Sequence, residues 1–138
     1  MRKILVATHG DYAKGALSSI SIIAGAKENV ACINAYSEEK NINEALDRYF
    51  ETVAEDDEVI VLTDLFGGSV NQAVMSYLGK KKIFLITGFN LALLLEVMMM
   101  DADESVSEDR LRSIIEGSKQ QIMYVNDVLK NTNDDDFE

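Results

Sequence analysis

His9, the only histidine in the chain, directly follows the apolar run Lys3 to Thr8 (KILVAT), and Asp64 directly follows a second run, Val59 to Thr63 (VIVLT). A carboxylate that accepts from one ring nitrogen of an imidazole fixes its tautomer and leaves the lone pair of the other nitrogen free. Facing solvent, that lone pair is a nucleophile. Gly67, Gly68 and Ser69 lie just beyond Asp64. A glycine turn entering a helix aims backbone N–H groups outward, with the positive end of the helix dipole behind them, and Ser69 at the N-cap adds a hydroxyl donor. A phosphoryl group suits such a site, because its transfer depends on positioning and on stabilising charge over its equatorial oxygens. Taken singly, a loop histidine is ordinarily just exposed and a Gly-Gly-Ser turn is ordinarily just a helix start. Their joint location at predicted strand ends favours chemistry.

The elements that would position these groups alternate. Strands are expected at Lys3 to Thr8, Val30 to Ala35, Val59 to Thr63 and Ile83 to Thr87, each short and mostly apolar, as in strands covered on both faces. Between them, Ala13, Ala16, Leu17, Ile20, Ile23 and Ala24 recur at helical spacing, as do Leu46, Tyr49, Phe50 and Val53. Further helices are expected from Ser69 to about Leu78 and from Asn90 to about Met100. A last one is capped by Ser107, with Glu108 and Asp109 in its first turn and apolar positions continuing to Leu129. The alternation predicts an α/β fold: three layers, α/β/α, on a mainly parallel four-stranded sheet in the order 2-1-3-4. In such sheets ligands bind beyond the carboxyl ends of the strands, where the order reverses. That order makes strands 1 and 3 neighbours and sets His9 beside Asp64.

The chain has 138 residues, 47% hydrophobic and 27% charged, which gives one domain with a substantial core. We expect it to span residues 1–130, followed by an acidic, disordered tail at 131–138. The net charge of −11 disfavours nucleic acid and anionic lipid and favours a basic protein partner. One cysteine forms no internal disulfide, the first residues lack a signal-peptide pattern, and no apolar run reaches the roughly 20 residues of a membrane span. A cytoplasmic protein is therefore expected. No Walker loop and no GxSxG elbow is present, one His with one Cys argues against a zinc site, and the first strand does not end in the acidic residues of a receiver domain. No metal and no organic cofactor is expected. A flavodoxin-like binding module, with its phosphate loop at THGDYAKG, leaves Asp64 and the histidine unexplained.

The segments ILVATHG, VLTDLFGGSVNQA and ITGFNLALLLEV resemble, in order and spacing, the IIA component of the mannose/fructose/sorbose family of the bacterial phosphoenolpyruvate-dependent sugar phosphotransferase system. The likeness runs from about residue 2 to residue 130. It implies that His9 accepts phosphate from the histidine phosphocarrier protein HPr and passes it to a IIB component during sugar uptake. Asp64 would orient the ring, and Ser69 with the amides around Gly67 and Gly68 would lie against the phosphoryl oxygens. It also implies a homodimer, and an indirect link to membrane IIC and IID proteins. Val70 and Leu91 stand where relatives often carry proline, which bears on how rigidly the helix starts are held. Some relatives exchange a C-terminal strand between subunits; the helical pattern here gives no reason to expect one. With no fused IIB domain in this chain, IIB is expected as a separate polypeptide.

Leu93, Leu94, Leu95, Val97, Met98, Met99 and Met100 surround most of one helix, which calls for a second covering surface, either a dimer interface or the same chain. Phe66 and Phe89, in loops beside the site, are candidates for partner docking, or else they cover the sheet end. Cys32 reads as buried and inert. The principal alternative function is a regulatory phosphohistidine module, controlling transcription or a kinase, in which His9 is modified only as a signal.

Overall fold

The computed structural model describes the backbone of residues 1–101 and 103–136, and side chains as far as residue 131. The chain runs β1 (Arg2–His9), α1 (Tyr12–Ala24), β2 (Val30–Ala35), α2 (Ile42–Glu51), β3 (Glu58–Thr63), α3 (Ser69–Met75), β4 (Lys82–Thr87), α4 (Leu91–Met98), α5 (Glu108–Lys119) and α6 (Val125–Asp136). Two compact units are present, residues 1–106 and 107–138.

In the first unit the four strands form one parallel sheet in the order β2-β1-β3-β4. The fold is a three-layer α/β/α arrangement. Side chains alternate across a strand, so each face takes every second residue. Leu5, Ala7, Ile33, Ala35, Val59 and Val61 form one core with Ile42, Leu46 and Phe50 of α2 and Val70 and Val74 of α3. Ile4, Val6, Ile60 and Leu62 point the other way and are equally buried, as are Ala13, Ala16 and Ile20 of α1 and Leu93, Leu94 and Val97 of α4. Burying a side chain of this size is worth about 1.5–3 kcal/mol. With both faces covered, β1 and β3 are rigid rails, and residues at their carboxyl ends inherit that rigidity.

Helix starts follow their capping residues. Asn41 accepts from the Glu44 amide (3.1 Å), Asn90 from that of Leu93 (2.9 Å) and Ser107 from that of Arg110 (3.0 Å). Ser69 departs from expectation. Gly68 is the N-cap of α3, extended at φ −77° and ψ 157°, and Ser69 is the first helical residue. Its hydroxyl is thereby released from capping. The single C-terminal helix expected from Ser107 is two, α5 and α6. Apolar spacing stays in phase from Ile115 through Ile122 and Val125, so periodicity alone did not reveal the break at 120–124. Where the acidic tail was expected, the backbone continues α6 to Asp136, and 137–138 lie outside the described residues. Cys32 is half-buried rather than buried. On α4, Leu93, Leu94 and Val97 are covered within the single chain, while Leu91 and, just past the helix, Met99 stay exposed.

Candidate active site

His9 is the last residue of β1, and Asp64 follows the last residue of the adjacent parallel strand β3. One carboxylate oxygen, Asp64 Oδ2, lies 3.0 Å from the His9 backbone nitrogen and 2.9 Å from ring Nδ1. The other, Oδ1, accepts from the Leu65 amide at 3.1 Å. Both oxygens are therefore held, and the carboxylate cannot swing away. An ionised carboxylate only accepts, so the proton of the neutral ring belongs on Nδ1 and the lone pair on Nε2. The His9 side chain is 38% exposed and that of Asp64 12%. Burial alone would raise the Asp64 pKa, but hydrogen bonds from the His9 backbone and ring, with the ring's charge when protonated, outweigh it and hold the carboxyl below the usual carboxylate range.

Two glycines allow this packing. Gly10, at φ +58°, turns the chain away directly after His9 and donates to Ala35 O at 2.8 Å. Gly68 lies against the imidazole: a Cβ there would stand 2.9 Å from His9 Cε1 and 3.3 Å from Leu65 O. Its amide donates to Leu65 O at 3.2 Å, so it turns back into the loop rather than outward as expected from the sequence. Gly67 is exposed in open space. Ser69 Oγ stands 3.5 Å from His9 Nε2, the solvent side of the ring. His9, Asp64 and Ser69 thus meet at the mouth of the β1/β3 crevice.

The two phenylalanines part company. Phe66 is 75% exposed in the loop between Asp64 and Gly67. Phe89 is only 5% exposed and stacks on Tyr12, with ring centroids 5.1 Å apart, so it covers the sheet end and offers no surface for docking.

The family model for the phosphotransferase-system fructose IIA component matches residues 3–114. This chain belongs to that family. It is 25% identical over 133 residues to the phosphotransferase-system fructose-specific EIIA component of Bacillus subtilis, covering 94% of this chain and 90% of that one. Among solved structures, a IIA protein associated with the fucose utilization operon of Streptococcus pneumoniae is 33% identical with a TM-score of 0.76, over 93% of this chain and 96% of its own. A protein from Klebsiella pneumoniae described as a candidate permease of the same system gives 29% and 0.85, over 93% of both chains. The protein is thus a IIA component of the sugar phosphotransferase system. Among its described residues no helix is long and apolar enough to cross a membrane.

Sequence reasoning missed two site residues of this IIA component. Tyr36, just past β2 on the far side of β1, has its hydroxyl 2.6 Å from Ser69 Oγ and its ring centroid 5.7 Å from that of His9. It sits at φ +70°, a left-handed conformation that costs a bulky residue on the order of 1–3 kcal/mol. The signal was available: β2 also borders β1, so its carboxyl end opens on the same crevice. Asn71, 2% exposed on α3, accepts from Thr63 Oγ1 at 2.8 Å and donates to Phe66 O at 3.0 Å. It ties the end of β3 to the loop bearing Asp64, and its only sequence mark is a polar residue on an apolar helix face.

Proposed function

We propose that His9 of this IIA component is a phosphoryl relay residue, taking the group from the histidine phosphocarrier protein HPr on Nε2 and handing it to a IIB component. The observation that carries the reading is the 2.9 Å contact between Asp64 Oδ2 and His9 Nδ1, which leaves Nε2 as the basic, solvent-facing nitrogen. In the forward step the Nε2 lone pair attacks phosphorus. The donor's N–P bond breaks, and its electron pair returns to the donor imidazole. The phosphorylated His9 ring carries a positive charge that Asp64 balances from the Nδ1 side. Transfer onward reverses these changes, so no net proton moves. In the enzyme each interaction that stabilises the planar phosphoryl group in flight lowers the barrier in both directions. The hydroxyls of Ser69 and Tyr36 on the Nε2 side are neutral and can steady the group without holding it as tightly as cations would.

A domain spanning residues 1–130 would carry the relay in the cytoplasm, as a homodimer linked to IIC and IID only through IIB. Phe66, exposed beside the site, supplies an apolar contact for a flat protein partner. The acidic chain would speed encounter with a basic carrier face. Incubation with the first enzyme of the pathway, HPr and labelled phosphoenolpyruvate should give acid-labile, base-stable label on the wild type and none on His9→Ala. Label that survives His9→Ala refutes the proposal. Chasing with IIB separates a relay, which loses its label within seconds, from a regulatory module, which keeps it.

A further inference from the structure

The Tyr36 hydroxyl stands outside the pair of groups that orient the imidazole, yet the loop carrying it is heavily constrained. The Tyr36 amide donates to Glu39 O at 2.7 Å, and the Glu38 and Glu39 amides donate to Asn34 O at 3.2 and 3.1 Å. Ser37 Oγ donates to Asp11 Oδ1 at 2.5 Å, which ties the loop after β2 to the one after His9. A tyrosine held at φ +70° by this many contacts is a strained residue that its surroundings over-determine, an arrangement concentrated at functional sites. The constrained loop sets the phenol 2.6 Å from Ser69 Oγ.

We infer that Tyr36 is a positioning residue for phosphoryl transfer at His9, acting through Ser69. The inference rests on the phosphohistidine reading and adds to it the donor that aims the serine. The direction of the hydrogen bonds follows from the tautomer. With the proton on Nδ1, facing Asp64, Nε2 presents a lone pair, and Ser69 Oγ can meet it favourably only by donating. Serine has one hydroxyl hydrogen. Once that points at Nε2, the 2.6 Å contact with Tyr36 requires Tyr36 to donate and Ser69 to accept. The tyrosine therefore selects the serine rotor that faces the reacting nitrogen. When a phosphoryl group occupies that nitrogen, the same hydrogen faces its oxygens, polarised by the phenol behind it. Neither hydroxyl gives up its proton, so the balance of the transfer step is unchanged.

The test is a double-mutant cycle on phosphoryl acceptance from HPr, read by rapid quench, with Tyr36→Phe, Ser69→Ala and both together. Tyr36→Phe keeps the ring against His9 and removes only the hydroxyl. It should slow the maximal transfer rate roughly 3- to 10-fold, the worth of one hydrogen bond, with KM for HPr unchanged. The double variant should be no slower than Ser69→Ala alone. Independently of any phosphorylation, the ¹⁵N signal of His9 Nε2 in Tyr36→Phe should move toward that of an unbonded pyridine-type nitrogen, with Nδ1 unmoved. A wild-type rate in Tyr36→Phe, or losses that add in the double variant, overturns the inference while leaving His9 as the phosphoacceptor. If the wild type takes no label at His9, the relay reading itself fails. The ¹⁵N shift then decides the Tyr36 to Ser69 to His9 chain alone, and an unmoved Nε2 signal overturns it.

Discussion

Asp64 Oδ2 accepts from both the backbone nitrogen and the ring nitrogen of His9, at 3.0 and 2.9 Å, so a single oxygen fixes the imidazole and the chain that carries it. With Oδ1 occupied by the Leu65 amide, every contact of this carboxylate is as an acceptor facing an N–H donor. An amide of the same shape cannot satisfy all of them. In Asp64→Asn one side must present its NH₂: toward Leu65 it meets another donor, and toward His9 it forces the ring proton onto Nε2 and removes the nucleophile. Phosphorylation of His9 should fall by roughly 10² to 10⁴, as when a catalytic histidine loses its orienting partner. Quenched-flow measurement of labelled phosphohistidine checks this, and an unchanged rate contradicts the assigned tautomer.

The same contacts make acid stability depend on Asp64. Its pKa is below the usual value in the folded protein, so the folded state favours the ionised form. The stabilisation is fully present above the unfolded carboxyl's pKa of about 4 and disappears as pH falls through the lower, folded value. Urea unfolding of the wild type and Asp64→Asn at a series of pH values should therefore give a stability gap that is constant near neutrality and narrows below about pH 4. A gap that instead widens toward acid pH would mean that the carboxylate is strained in the fold rather than stabilised.

Gly68 and Gly67 are adjacent and chemically identical, yet only Gly68 should be sensitive to alanine. At Gly68 the new methyl carbon would stand 2.9 Å from His9 Cε1 and 3.3 Å from a backbone oxygen, whereas at Gly67 it would meet nothing within 4 Å. The imidazole is the part able to move, and moving it stretches the bond to Asp64. Gly68→Ala should lower the transfer rate by about 10²-fold, the penalty for a misplacement near 1 Å, and Gly67→Ala should leave it within about a factor of two. Parallel kinetics on the two variants, with a thermal melt of each, separate this from a general effect on folding.

The strand order, the pairing of His9 with Asp64 and the proximity of Ser69 were legible because each depends on local signals: four apolar runs, polar residues directly after them, and a topology rule that makes β1 and β3 neighbours. What escaped depends on side-chain geometry that periodicity does not carry. Ser69 has the composition of an N-cap, but the cap is Gly68, packed against the ring, and the serine hydroxyl meets Tyr36 instead. For Phe89, in the loop after Gly88, the sequence left partner docking and covering of the sheet end both open, and its stacking on Tyr12 decides for the cover. The strand order places Tyr36 at the mouth of the crevice, but its left-handed backbone, which turns the phenol to Ser69, has no sequence signal.

Asn71 links the fold to the site. Its amide accepts from Thr63 Oγ1, which is fully buried at the end of β3, and donates to Phe66 O in the loop that carries Asp64. Asn71→Leu keeps the number and branching of side-chain heavy atoms and suits the apolar face of α3, though its two methyls are bulkier than the amide. It also strands the buried Thr63 hydroxyl, at a cost of about 1–3 kcal/mol, and takes the donor from a loop carbonyl. A loss of that order in chemical unfolding is expected, together with slower phosphorylation, because the loop would no longer be pinned to β3. Asn71→Leu combined with Thr63→Val, which removes both polar partners of the buried pair, should recover part of the stability. It should not recover the rate, because the Phe66 carbonyl still lacks its donor. Recovery of both would place the role of Asn71 in the core alone.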